Sequence, residues 1–337
     1  MGEGGGYFCR LIKMKILITG ATGFIGRHLV KTLSEEGHSI RCLVRKSSNI
    51  DFLKVFGCEF FYGDLYQAGT LQGISKDIDI VYHLGGVVIS RNKGDFYRTN
   101  VLGAKNLLET CKTENIKRFI YISSIAVYRP PQEHILLTEE SPLDPITPYG
   151  KSKLEAERLV LQYSKQYGLP AVIIRAPLIY GPDHPEVLNN FFKSAIHKNR
   201  IVIVGDGNNY RSFCYIENFI EGLKLVMEND KAIGKTYVIS DSSAYTLKEI
   251  INEIAKTIHA NIKIISLPNF LSRISWALYK FFNGFFSLDL VELYVIRTLG
   301  LNLGFDISKI KSDLSFNPTY SLSEGLARTI NWVKEEN

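Results

Sequence analysis

The sequence predicts an α/β fold, with a doubly wound parallel sheet followed by a smaller, mixed α/β region. Two observations predict it. In the first half of the chain, short apolar runs alternate with helical patterns, which is typical of a parallel sheet with helices on both faces. A glycine-rich loop stands directly after the first apolar run. The 337 residues and the 45% apolar content are sufficient for one or two such domains.

The strands and helices of the first half follow one another in a regular order. The first strand is predicted at 15–19, and the helix after it at 24–36. Continuous apolar runs, as expected for strands buried on both faces, predict further strands at 39–44, 59–62, 80–84, 118–123 and 171–175. Two long helices are predicted among them, at 96–114 and 149–167.

The pattern becomes mixed after Pro182, where strands near 201–204, 235–239 and 262–266 stand among helices. We therefore divide the chain into a sheet domain over 14–182 and a second, substrate-binding region over 183–337, with crossings back to the sheet. Residues 1–13 are glycine-rich and precede the first strand, so we expect a disordered extension there.

Composition and charge argue against several classes of function. The net charge of +6 is spread along the chain, which predicts no nucleic-acid partner. The five cysteines are widely spaced and odd in number, which argues against disulfides and a metal site and favours the cytoplasm. No stretch reaches the ~18 uncharged apolar residues that a membrane helix needs, so we expect no membrane span.

The glycine-rich loop predicts a dinucleotide site. Its glycines recur at every third position between the first strand and the first helix. Without side chains, the backbone can approach a pyrophosphate, which binds at the positive N-terminus of the helix. We expect this loop of a Rossmann-type domain to bind the cofactor through Gly20, Thr22, Gly23, Phe24, Ile25 and Gly26.

A tyrosine and a lysine at helical spacing predict an acid–base pair. Tyr149 and Lys153 are four residues apart in a predicted helix, so their side chains share one face. A phenol with an ordinary pKa near ~10 is a poor catalyst at neutral pH, whereas a neighbouring ammonium stabilises the phenolate and lowers that pKa. Most such pairs are surface contacts, but this one follows a dinucleotide loop, which favours catalysis.

The loop and the pair together resemble the extended short-chain dehydrogenase/reductase superfamily, which includes nucleotide-sugar epimerases and 3β-hydroxysteroid dehydrogenases. The resemblance extends from Met14 to about Trp332 and is densest before Pro182. It implies a Rossmann domain that binds NAD(P), and hydride transfer at a secondary alcohol or ketone carbon with Tyr149 as the acid–base group. Lys153 would lower the pKa of Tyr149 and hold the nicotinamide ribose.

The resemblance also implies roles for residues outside these two motifs. Ser124 would bind and orient the substrate, with Ser123 as the alternative, and Asn100 would support a proton relay to Lys153. Further contacts to the cofactor are implied for Asp64, Leu65, Leu84, Gly85 and Pro177. The family usually has alanine where Gly85 and Gly86 stand.

The end of the second strand indicates which cofactor binds. NAD enzymes place an acidic residue there, on the adenosine ribose. Here the strand is followed by Arg45 and Lys46, with Ser47 and Ser48 after them. Two cations and two hydroxyls favour the 2′-phosphate of NADP, although NAD is possible and a solvated basic turn is the other interpretation.

The substrate side gives two conflicting signals. Arg211 stands in a segment that resembles the one whose arginine grips the diphosphate in nucleotide-sugar enzymes, and a structural ion pair is the alternative. In contrast, 268–290 is strongly apolar at helical spacing, and hydroxysteroid-type relatives use such a segment to cover a lipid-like substrate or to touch a membrane. Core packing is the other interpretation of that stretch.

These observations favour an NAD(P)-dependent oxidoreductase that acts on a hydrophobic ring alcohol or a sugar-like small molecule. Elimination is not expected, because Ile125 and Ala126 stand where the family's dehydratases have an Asp-Glu pair. The alternatives are a nucleotide-sugar 4-epimerase with tightly held NAD and a non-catalytic NADP-binding regulator. The resemblance also implies a homodimer formed by the helices at 96–114 and 149–167.

Overall fold

A parallel sheet forms the centre of the protein. The computed structural model describes residues 13–90, 92–241, 244–268 and 300–336. Six strands come from the first half of the chain: β1 (Lys15–Thr19), β2 (Ser39–Val44), β3 (Glu59–Tyr62), β4 (Ile80–His83), β5 (Arg118–Ser124) and β6 (Ala171–Ala176). They lie in the order β6-β5-β4-β1-β2-β3, and each pairs in parallel with its neighbours. The predicted α/β fold with a doubly wound sheet is confirmed.

The later strands extend this sheet and form small ones beside it. They are β7 (Leu178–Tyr180), β8 (Arg200–Val204), β9 (Tyr210–Arg211), β10 (Phe213–Tyr215), β11 (Thr236–Val238), β12 (Tyr245–Thr246) and β13 (Lys263–Leu267). β11 pairs in parallel with β6, so the chain returns to the central sheet and gives it a seventh strand. β7 pairs with β10, β8 with β13, and β9 with β12.

Helices stand between the strands. The described helices are α1 (Phe24–Glu35), α2 (Asp51–Lys54), α3 (Lys93–Asp95), α4 (Gly103–Cys111), α5 (Pro148–Tyr167), α6 (Glu186–Lys198), α7 (Ile216–Glu228), α8 (Leu247–Thr257), α9 (Ser308–Leu314) and α10 (Leu322–Glu335). A π-helical segment, Phe96–Leu102, joins α3 to α4, and short 3₁₀ turns cover Ala68–Leu71, Ile125–Val127 and Asp230–Ala232. Within the described residues, no helix is both long and apolar enough to span a membrane.

Alternating side chains of the strands build one core on each face of the sheet. Ile16 and Ile18 of β1 belong to the cluster that contains Leu29 of α1, whereas Leu17 belongs to the cluster that contains Leu107 of α4. This is the two-fold period of a strand, and both faces are apolar because helices cover both. The order of the strands reverses between β1 and β4, which is where sheets of this kind bind their ligands.

Two sequence predictions concern parts of the chain that the structure does not describe. The disordered extension was predicted for 1–13, of which residues 1–12 lie outside the described residues. The apolar stretch 268–290 falls almost entirely on residues 269–299, which also lie outside them. The domain boundary at residue 182 stays a prediction.

Candidate active site

The glycine-rich loop between β1 and α1 has the backbone geometry of a phosphate site. Gly20 has a φ of +73°, a conformation that side chains disfavour. A Cβ at Gly26 would lie only 2.2 Å from the carbonyl oxygen of Gly20, so the loop and the helix pack together only with glycine there. Gly23 precedes α1 without a side-chain cap, which leaves the N–H groups of the first turn to bind an anion.

A cleft of about 510 Å³ opens above this loop. Its walls come from the carboxyl ends of β1 to β4 and from the segment before α4. The predicted cofactor residues in its walls are Gly20, Thr22, Gly23, Arg45, Asp64, Leu65, Leu84 and Gly85. Its volume lies in the range of small-molecule and cofactor sites, and the glycine-rich loop forms part of its wall.

The other predicted cofactor residues lie outside those walls. Phe24 and Ile25 begin α1 and pack partly buried against the core, with Gly26 buried one position further on. Lys46 is exposed beyond Arg45, and Pro177 is buried between β6 and β7. The roles of these residues as cofactor contacts stay predictions.

The turn after β3 is fixed by its own hydrogen bonds. The carboxylate of Asp64 accepts from the backbone N–H of Tyr66 at 3.0 Å, and the amide of Asn106 donates to the carbonyl of Leu65 at 2.8 Å. The backbone N–H of Asp64 donates to the hydroxyl of Thr70 at 2.9 Å. These bonds hold Asp64 and Leu65 at the wall of the cleft, where the sequence predicts the adenine.

Tyr149 is placed by the start of α5. Thr147 caps this helix by accepting from the N–H of Gly150 at 3.0 Å, and Pro148 occupies its first turn. A Cβ at Gly150 would lie 2.2 Å from the carbonyl oxygen of Ala126. This close approach packs the first turn of α5, with Tyr149, against the turn that follows Ser124.

Lys153 lies one helical turn after Tyr149 and is buried. Its Nζ donates to the carbonyl of Ile122 at 2.6 Å and lies 4.7 Å from the centre of the Tyr121 ring. Burial lowers the pKa of Lys153 to about 8, and the charge of Glu157 opposes that shift. An ammonium in this environment is a strong local charge, because little water screens it.

Asn100 connects the cleft to α5. It lies in the π-helical segment. π-Helical segments are rare in proteins, but those that occur are often found at functional sites. The side chain of Asn100 accepts from the N–H of Val87 at 2.7 Å and donates to the carbonyl of Val87 at 3.0 Å and to the hydroxyl of Ser152 at 2.9 Å. A regular α-helical pattern predicted this stretch, and the π-helical geometry was not expected.

Ser124 ends β5 next to this group. Its hydroxyl is half-buried and accepts from the N–H of Ala126 at 3.1 Å, a bond that does not use the hydroxyl proton. Ser123, the alternative, is buried at 2% exposure. The greater exposure of Ser124 makes it the better placed of the two for a substrate.

Arg211 lies apart from the cleft, on β9. Its side chain is buried and its Nη1 donates to the carbonyl of Leu301 at 3.3 Å, while burial lowers its pKa to about 10. The backbone of Arg211 also bridges to that of Leu303, which lies shortly after residues 269–299, the segment that the structure does not describe. Its contact with a substrate diphosphate stays a prediction.

Some residues that support the site were not predicted from the sequence. The hydroxyl of Thr19 accepts from the N–H of Gly85 at 3.1 Å and bonds Nδ1 of His83 at 2.7 Å, and so ties the ends of β1 and β4 together. Ser152 donates to the carbonyl of Tyr149 at 2.7 Å while it accepts from Asn100. The one signal for Ser152 was its place between the tyrosine and the lysine.

Within the described residues, no group of three or more His, Cys, Asp or Glu side chains is placed to hold a metal.

Comparisons with known proteins show the family of the chain. The family described as "NAD dependent epimerase/dehydratase family" matches residues 16–240. A dTDP-D-glucose 4,6-dehydratase of Dictyostelium discoideum is 33% identical over 272 residues, which cover 72% of this chain and 62% of that protein. A 4-hydroxy-2-methyl-3-oxo-4-farnesyl-3,4-dihydroquinoline-1-oxide ketoreductase of Stigmatella aurantiaca is 28% identical over 258 residues, which cover 76% of each.

A solved structure gives the same result for the fold. The UDP-glucuronic acid 4-epimerase from Bacillus cereus, in complex with NAD, is 26% identical with a TM-score of 0.77, over 96% of this chain and 99% of that one. The family match and the fold define an enzyme of the extended short-chain dehydrogenase type, which confirms the predicted resemblance. Within that class, the chain belongs to the NAD dependent epimerase/dehydratase family. The names of these three similar proteins give three different activities, so the likeness does not decide the reaction.

Proposed function

We propose that this enzyme transfers hydride between NAD(P) and a secondary alcohol or ketone carbon, with Tyr149 as the acid–base group. The observation that supports this proposal most directly is that Gly86 lies both in the wall of the cleft and close to Lys153 of α5. Gly86 lines the cleft, and a Cβ there would lie 3.0 Å from Oδ1 of Asn100 and 3.7 Å from Nζ of Lys153. A cofactor in the cleft would therefore end beside the buried ammonium.

The residues divide the work among them. The bound nicotinamide supplies the hydride donor or acceptor. In oxidation the Tyr149 phenolate takes the hydroxyl proton of the substrate, and in reduction the phenol returns it. The Lys153 ammonium stabilises the phenolate, and the hydroxyl of Ser124 orients the substrate oxygen. Asn100 holds Val87 and Ser152 in place, which supports a proton route from Lys153 to solvent.

The turn after β5 argues against a dehydratase. Elimination needs an acid and a base near the substrate, and the family's dehydratases have an Asp-Glu pair at this turn. Here Ile125 is buried at 5% exposure, and Ala126 has no functional group. Hydride and proton transfer by Tyr149 need no such pair.

We propose NADP as the preferred cofactor, with NAD accepted. Arg45 and Ser48 stand in the wall of the cleft at the end of β2, where a 2′-phosphate would meet a cation and a hydroxyl. The described part of the wall places no carboxylate at the end of β2, although Asp64 and Asp95 line the cleft elsewhere. The Bacillus cereus epimerase binds NAD, so NAD stays the alternative.

A nucleotide-sugar 4-epimerase is the second candidate. It is favoured by the likeness to the UDP-glucuronic acid 4-epimerase and by Arg211 in the segment that resembles a diphosphate site. The likeness to the Stigmatella aurantiaca ketoreductase favours net reduction of a hydrophobic ketone instead. A non-catalytic regulator is disfavoured because Ser124, Tyr149, Lys153 and Asn100 are all present in the sequence.

We also propose that the enzyme is a cytoplasmic homodimer. Cys42, Cys58, Cys111 and Cys214 are free thiols, as a reducing compartment favours. The dimer would form through α4 and α5, on whose outer faces Lys105 and Leu161 are exposed.

The decisive experiment separates net redox chemistry from epimerisation. The protein is incubated with NADPH or NADH and with two substrate classes, hydrophobic ring ketones and UDP- or dTDP-sugars. Loss of reduced nicotinamide absorbance with formation of an alcohol supports the first candidate. Interconversion of sugar epimers without net cofactor consumption supports the second, and the absence of any turnover with either class would contradict both.

A further inference from the structure

The catalytic lysine lies in surroundings that disfavour its charge. Burial lowers the pKa of Lys153 to about 8, which is close to the pH at which most enzymes work. Its Nζ has one carbonyl partner, Ile122, and one aromatic neighbour, Tyr121. A further fall in the pKa of Lys153 would remove the positive charge beside Tyr149. An anion close to Lys153 is therefore needed to keep the lysine charged.

Among the described residues, titratable groups near Lys153 or its neighbour Glu157 lie on four elements: His83 on β4, Tyr121 on β5, Arg175 on β6, and Tyr149 and Glu157 on α5. Burial and then the charge of Lys153 lower the pKa of His83 to about 3, so this ring is neutral at working pH. Burial raises the pKa of Tyr121 well above its ordinary value, so this phenol is neutral too. In the part of the chain that the structure describes, Glu157 is the carboxylate whose negative charge raises the pKa of Lys153 and so opposes the effect of burial.

Glu157 is held in place by a buried arginine. It lies four residues after Lys153 on the same face of α5 and is 1% exposed. Arg175 donates to both of its carboxylate oxygens, from Nε at 3.1 Å and from Nη2 at 2.8 Å. The planar guanidinium thus meets both oxygens of Glu157 and holds its side chain in one orientation.

The same arginine fixes the segment between Ser124 and Tyr149. Its Nη1 donates to the carbonyl of Glu139 at 2.9 Å and to the hydroxyl of Tyr128. Its guanidinium also lies 4.9 Å from the centre of the Tyr128 ring. Arg175 therefore joins the catalytic helix to the loop that leads into it.

We propose that Glu157, held by Arg175, is a positioning residue that keeps Lys153 protonated and thereby sets the pH range in which Tyr149 works. This inference rests on the proposed function, in which Tyr149 is the acid–base group. Glu157 acts through Lys153 and does not touch the substrate. The pair is therefore an electrostatic support for catalysis as well as a packing contact.

The test is the pH at which Tyr149 ionises, measured with and without the charge at position 157. Phenolate absorbance is titrated in the wild type and in Glu157→Gln, and in each case the curve of the matching Tyr149→Phe protein is subtracted. Loss of the carboxylate leaves Lys153 easier to deprotonate, so the Tyr149 phenolate loses its cation. We expect its ionisation to move upward by about one pH unit, roughly tenfold in the equilibrium constant. The limb of the oxidation rate that requires the phenolate should move in the same direction.

Two further variants keep the test decisive. Glu155→Gln removes an exposed carboxylate from the same helix and should leave the ionisation of Tyr149 unchanged. Glu157→Asp keeps the charge but shortens the side chain, and it should give a smaller upward shift. It also replaces Glu157→Gln if that protein does not fold, as judged by circular dichroism.

The outcomes separate this inference from the proposed function. If Tyr149 ionises at the same pH in the wild type and in every folded Glu157 variant, the positioning role is wrong. If Tyr149→Phe also keeps wild-type turnover, the proposed function fails as well. An equal shift in Glu155→Gln would overturn the specific role of Glu157.

Discussion

Gly86→Ala tests how closely the cleft proposed for the cofactor is joined to the proposed catalytic residues. The family usually has alanine at this position, yet here a Cβ would lie 3.0 Å from Oδ1 of Asn100, tighter than an ordinary contact. Asn100 cannot easily move away, because its amide bonds both backbone groups of Val87 and the hydroxyl of Ser152. Alanine should therefore displace the Asn100 side chain by a few tenths of an ångström and weaken these bonds.

The size of the effect follows from those hydrogen bonds. Weakening one or two buried bonds lowers the free energy of unfolding by about 1–3 kcal/mol. The displacement also moves Val87, which lines the cleft, so we expect kcat to fall roughly 10- to 100-fold. Urea denaturation gives the first quantity, and steady-state turnover of NAD(P)H gives the second.

Gly69→Ala is the matched control for this substitution. A Cβ at Gly69 would meet nothing within 4 Å, so the same chemical change should leave stability and turnover near the wild type. If Gly86→Ala behaves like Gly69→Ala in both assays, the close contact between the cleft and Asn100 is refuted.

Three more predictions follow from other parts of the structure. The wild type should prefer NADP over NAD by about 1–3 kcal/mol, and Arg45→Asp should reduce this preference, mainly by weakening NADP binding. Calorimetric titration of both cofactors measures it, and equal or tighter binding of NAD by the wild type would contradict it. Burial raises the pKa of Asp241 from 3.8 to about 6 in the folded protein, so the folded state binds the proton more tightly. The free energy of unfolding should then fall by up to about 3 kcal/mol as pH rises from about 4 to 6. Urea denaturation measures this fall, and Asp241→Asn should remove it. A variant with the same pH dependence as the wild type would refute the assignment. The third prediction is a dimer through α4 and α5, and a single monomeric mass by light scattering at micromolar concentration would contradict it.

The sequence predicts the strands of the central sheet well, because continuous apolar runs between breakers leave few alternatives. The predicted bounds for β1, β2 and β3 agree with the structure. The π-helical segment around Asn100 was not predicted, since a π-helix and an α-helix have nearly the same apolar pattern over two turns. The return of β11 to the sheet was anticipated as a crossing, but its partner strand was not.

Of the site, the sequence predicts what is local along the chain. The phosphate loop is contiguous, and Tyr149 and Lys153 share one helix, so spacing alone relates them. Pairings between distant segments have no such signal. Glu157 and Arg175 are 18 residues apart, and Thr19 and His83 are 64 apart, so a hydrogen bond within either pair becomes visible only when the sheet is assembled.

Tyr149→Phe tests the central claim most directly. The substitution removes the hydroxyl that transfers the proton and keeps the ring, which lies 6.4 Å from that of Phe96. With a substrate that the wild type turns over, we predict that kcat falls on the order of 10²–10⁴-fold while the affinity for NAD(P), measured by calorimetry, changes little. Turnover close to that of the wild type, in a folded protein with normal cofactor binding, would contradict the account.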